Sequence, residues 1–131
     1  MEITIKDLQK KIPIPQAKML KAAKTALLKL GRPREGSLSI VFVGAKRMRS
    51  VNKKYLDHDY VTDVLAFDLG RNVGEIIICP QEAFTNAKAH HTSTDDEIIL
   101  YVIHGILHLA GFDDHGPKDE ARMREMEKKL L

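Results

Sequence analysis

His104 and His108 stand four residues apart, and His115 follows in the same segment. On a helix, residues four apart share a face about one turn apart, so both imidazoles can reach one ion at about 2.0–2.1 Å. Gly111 lets the chain turn back after the helix, which brings a donor from the next loop toward the same ion. Three protein donors with one open position describe a catalytic rather than a structural zinc site. A lone histidine in an apolar helix is more often a core residue bonded to a backbone carbonyl, and a pair at this spacing also arises by chance. The glycine, the third histidine and the apolar run IILYVIHGILHLA favour a metal, because two imidazoles buried there without a partner are costly.

The spacing is close to the H-E-x-x-H motif of zinc peptidases, extended by a glycine and a third ligand. The residue after the first histidine is Gly105, however, where a peptidase needs glutamate as general base. The metal arrangement survives and a different substrate is expected. Charge points the same way. The chain has 131 residues and a net charge of +3, yet the residues through Leu56 carry 14 basic and 3 acidic groups, against 7 and 15 after it. A basic surface invites a polyanion and clustered carboxylates with histidines invite a metal, although a basic run is as often a solvated helix face.

The elements that must position these groups fit one α+β domain, residues 1–131. Glu2 to Ile5 alternates as a short strand, and Pro13 and Pro15 lead into a helix ending near Leu30, with Ala17, Leu20, Ala23, Ala26, Leu27 and Leu30 on one face. Ser37 to Val43 reads as a buried strand, and Ala45 to Leu56 as a basic helix on which Met48, Val51, Asn52 and Tyr55 share a face. VLAFDLG and GEIIICP form a hairpin, so the sheet is mixed and four-stranded, packed with about five helices. Pro80 to His90 is a short helix. A capping box of Thr94 and Glu97 opens the central, zincin-like metal helix, Asp95 to Ala110, and a charged helix, Lys118 to Leu131, follows. No apolar stretch reaches the roughly 20 residues of a membrane helix, the N-terminus lacks the apolar core of a signal peptide, and Cys79 stands alone. A cytoplasmic protein is expected.

HGILHLAGFDDH resembles the YbeY family motif H-G-x-L-H-L-x-G-[YF]-D-H. VNKKYLDHDYVTDVLAF is similar to that family's second block, L-N-x-x-Y-R-x-K-D-x-P-T-D-V-L-S-F, and GEIIIC to its G-D-I-x-I-C strand. The resemblance covers Leu38 to the C-terminus. It implies an endoribonuclease specific for single strands, dependent on one Zn2+ ion, that matures the 3′ end of small-subunit ribosomal RNA and serves ribosome quality control. RNA and the small ribosomal subunit are the implied partners.

Two departures qualify it. The family's third histidine lies ten residues after the first, where this chain has Asp114, with His115 one later. His115 is the favoured third donor, since a loop absorbs one residue and imidazole matches the family; Asp114 is the alternative, because a carboxylate also binds zinc. The family arginine after the tyrosine, which serves catalysis or RNA binding, is Leu56 here. Arg49, Lys53, Lys54 and Arg71 are the candidates for its phosphate role, and the basic face of Ala45 to Leu56 should then border the cleft of His104 and His108. Asp63 is expected to orient a ligand histidine through its free N–H, or else to cap a turn, and Asp113 to steer the loop. His58, His90 and His91 read as surface residues. Two readings compete with the nuclease: a metallopeptidase or other metallohydrolase, and a non-cleaving RNA-binding assembly factor with a structural metal.

Overall fold

The computed structural model describes residues 1–32 and 35–131. Along the chain run β1 (Glu2–Asp7), α1 (Gln16–Lys29), β2 (Ser37–Phe42), α2 (Ala45–Leu56), β3 (Val64–Asp68), β4 (Val73–Ile78), α3 (Pro80–His90), α4 (Thr94–Leu109) and α5 (Pro117–Leu130). The strands form one sheet in the order β1-β2-β4-β3. β1 and β4 flank β2 in parallel, and β3 closes the edge antiparallel to β4, with Val64 opposite Ile78. The mixed sheet and the hairpin are as expected.

Side-chain alternation along the strands splits the core in two. Ile40, Phe42, Ile76 and Ile78 point to one face and pack with Met19, Ala23 and Ala26 of α1 and the apolar body of α4. Leu65 and Ile77 point to the other, where Met48 of α2 covers them. On α1 the buried stripe is Met19, Ala23 and Ala26, while Ala17 is exposed in the first turn. Several phases of an alanine-rich helix look equally apolar, and the long Met19 side chain selects the one that fills the core. On α2, Asn52 is buried as expected, and its Nδ2 donates to the Tyr60 carbonyl at 3.0 Å, anchoring the loop that leads into β3.

α4 is buried along most of its length, from Ile98 through Leu107. Its N-cap is Ser93, whose hydroxyl accepts from the Asp96 N–H at 3.1 Å, one residue before the expected Thr94. Glu97 therefore does not complete a capping box. It is buried and accepts from Thr92 Oγ1 at 2.9 Å, with His90 Nδ1 at 3.2 Å, which ties the end of α3 to the start of α4. At the other end Gly111 adopts φ +97°, Gly111 N–H donates to the His108 carbonyl and Phe112 N–H to that of Leu107, both at 3.0 Å. This pairing satisfies the last helical carbonyls and turns the chain back toward α4.

Gly105 fixes how closely α4 lies on the sheet. A Cβ there would stand 2.8–3.0 Å from three side-chain atoms of the fully buried Ile76. Replacing Gly105 by Ala gains about 1 kcal/mol in helix propensity and loses about 1–3 kcal/mol to overpacking. Gly105→Ala should therefore lower Tm by a few degrees in thermal unfolding, and a raised Tm would contradict this packing.

Candidate metal centre

The last two turns of α4 present His104 and His108 side by side, with ring centroids 4.6 Å apart and Nε2 atoms 2.9 Å apart. Asp114 Oδ2, from the loop after Gly111, lies 3.6 Å from His104 Nε2 and 3.8 Å from His108 Nε2. A tetrahedral ion with bonds of about 2.0–2.1 Å places its donors roughly 3.3 Å apart. The three separations straddle that value, so these residues fit a metal ion. Burial, with a further contribution from His104, pushes the His108 imidazole below its ordinary pKa, against the opposing pull of Asp114 and Asp113. The neutral ring that results is the form a metal binds.

His115, the favoured third donor on sequence grounds, is exposed and outside this group. Asp114, the tenth residue after His104, is the one whose side chain stands beside the pair.

Behind His104 lies a residue that the sequence reading did not single out. Glu127 on α5 is only 3% exposed, and its Oε2 is 3.3 Å from His104 Nδ1. An Nδ1–H donated to this carboxylate leaves the Nε2 lone pair facing Asp114 and His108, the arrangement that orients ligand histidines. Glu127 also accepts from Arg124 Nη1 through both oxygens, the Oε2 contact being 2.9 Å. The sequence does carry a signal for it: the buried residues of α5 are Met123, Glu127 and Leu130, which puts a carboxylate in the middle of an apolar stripe.

Asp63 takes the capping role. Its Oδ1 accepts from the Val64 N–H at 2.8 Å and from Thr62 Oγ1 at 3.4 Å, while the residue lines the same cleft as His104. Asp113 is exposed beside Asp119 and Arg122. Tyr101 shares the cleft wall with His104, and burial holds its phenol well above the ordinary pKa, so it stays protonated.

The basic candidates do not gather at the histidines. Arg49 and Lys53 both pair with Asp59, at 2.8 and 3.8 Å, Lys54 lies over the Tyr55 ring and Arg71 sits in the β3–β4 turn. α2 packs on the sheet face opposite α4, and among the described residues of that helix only Leu56, at its end, lines the cleft holding His108. The expected border between the basic face and the histidine cleft is thus reduced to one apolar side chain. The position at which a peptidase carries its glutamate is equally unavailable, because Gly105 faces Ile76 and not the cleft.

Comparisons with known proteins agree with this geometry. The family described as endoribonuclease YbeY matches residues 4–131. The chain is 38% identical over 99 residues to an endoribonuclease YbeY from Parabacteroides distasonis, covering 73% of this chain and 70% of the relative. It is 32% identical over 133 residues to one from Beutenbergia cavernae, covering 92% and 89%. The solution structure of a Thermotoga maritima protein superposes with a TM-score of 0.64 at 29% identity, covering 98% of this chain and 85% of that one. With a match that runs through the sheet, α4 and the loop bearing Asp114, the chain belongs to the endoribonuclease YbeY family.

Proposed function

We propose that this chain is a zinc-dependent endoribonuclease that cuts single-stranded RNA in the cytoplasm, acting in 3′-end maturation of small-subunit ribosomal RNA and in ribosome quality control. The observation that carries the reading is the family match across residues 4–131. The geometry adds a donor set, His104, His108 and Asp114, that would hold one ion through three protein atoms and leave a position open, the mark of a catalytic centre. Zinc suits two imidazoles and a carboxylate. No described helix is long and apolar enough to cross a membrane.

When bound, the ion supplies Lewis acidity toward a phosphoryl oxygen and lowers the pKa of water. The chain's own residues prepare that chemistry. Glu127 fixes the His104 ring and its tautomer, burial keeps His108 neutral, and Asp114 brings the negative charge that offsets part of a dication. β3 and Leu56 wall the His108 side of the cleft, where an unstacked strand is accommodated more readily than a duplex. The metallopeptidase alternative is disfavoured by the packing of Gly105 against Ile76, which leaves no room for its general base.

Two measurements test this. Cleavage of single-stranded RNA by the zinc-loaded protein should stop with a chelator and fall in His108→Ala by more than the about 10–100-fold typical of losing an outer partner. Intact cleavage in that variant would overturn the reading. In competition with a chromophoric chelator, Asp114→Ala should lose most zinc affinity and His115→Ala should keep it. Glu127→Gln should weaken zinc binding by about 10–100-fold. Zinc affinity lost in His115→Ala and retained in Asp114→Ala would return the third position to the histidine.

A further inference from the structure

We propose that Arg124 is the phosphate-binding cation of this centre and grips a backbone phosphate of the RNA beside the ion, an inference that rests on the endoribonuclease reading. Arg124 lines the same cleft as His104, Asp114 and Asp63, an opening of about 190 Å³ between β3, α4 and α5. Its Nη1 is engaged by both oxygens of Glu127, while no described residue bonds Nη2 or Nε. The side chain is 56% exposed although its partner carboxylate is 4% exposed. The guanidinium is therefore pinned at one corner by a buried anchor at the cleft wall and keeps its remaining donors unbonded, the planar fork that matches two phosphate oxygens.

The surroundings supply the need. Asp63, Asp114 and Glu127 line this cleft. Three carboxylates exceed the charge of one divalent ion, so an RNA phosphate meets repulsion there unless a further cation offsets it. On the other side of the centre the cleft wall is Leu56 and β3, and Arg49 and Lys53 of α2 are held by Asp59 in the loop after that helix. Among the residues lining the clefts of His104 and His108, Arg124 is the one basic side chain. Glu127 then has two tasks: it orients a metal ligand through Oε2 and sets the position of the phosphate-binding arginine.

The competing account is that Arg124 only neutralises Glu127. Arg124→Gln keeps an amide donor for Glu127 and removes the charge, so the two accounts separate. Zinc-loaded Arg124→Gln should raise KM for a single-stranded RNA oligonucleotide about ten-fold with kcat changed far less, while zinc content and Tm stay at wild-type values. RNA affinity measured in chelator, where no RNA is cut, should show a log–log salt slope smaller by about 0.7–1. Arg124→Lys, with charge but no fork, should give intermediate values of both. Unchanged KM and salt slope in Arg124→Gln would overturn the proposal, as would lost zinc or Tm with KM unaltered. If Arg124→Gln does not fold, wild-type KM and slope in Arg124→Lys overturn it and a raised KM upholds it. A wild-type chain that cuts no RNA would defeat the endoribonuclease reading instead, and the salt slope would still decide for or against Arg124.

Discussion

The contact between His104 and Glu127 is the constraint around which the centre is built. A carboxylate this deeply buried is tolerated only while hydrogen-bond donors face it. Glu127 finds two, His104 on α4 and Arg124 on its own helix. The first ties the phase of α5 to that of α4, because Glu127 reaches the imidazole only when Met123 and Leu130 are seated in the core beside it. The second brings a cation to the cleft rim. Core packing and site geometry are here settled by the same three residues.

The sheet separates the basic residues of α2 from the histidines. α2, with most of its basic residues exposed, lies on one face, and α4 with the histidines on the other, so the two meet only around the edge strand β3. The positive charge of α2 is therefore a property of an outer surface, useful for attracting a polyanion over distance and screened within about 8–10 Å at physiological salt. Close to the histidines the field is set by carboxylates and by the end of α4.

Much of this was legible in the sequence because periodicity reports elements well. The hairpin, the limits of α3 and the identity of α4 as the histidine-bearing helix all follow from local pattern. What failed did so where local pattern is degenerate. Ser93 and Thr94 are both good N-caps, and only the packing of Glu97 against Thr92 and His90 selects between them. Asp114 and His115 are both good zinc donors, and no local pattern shows that, after the turn at Gly111, it is the Asp114 side chain that lies beside the two histidines. The position of α2 relative to α4 depends on which face of the sheet each covers, which no window of sequence encodes. Glu127 was visible as a charge on an apolar stripe, but its partner lies 23 residues away and appears only once α4 and α5 are packed.

The three donors differ in how firmly they are held. His104 is 14% exposed and bonded from behind, His108 is 29% exposed in the last turn of the same helix, and Asp114 is 38% exposed on a loop between two glycines. The coordination sphere thus runs from a rigid, buried side to a compliant, wet one. An ion held here would be reached from solvent past Asp114, while the two helix-borne rings would set the directions of its bonds.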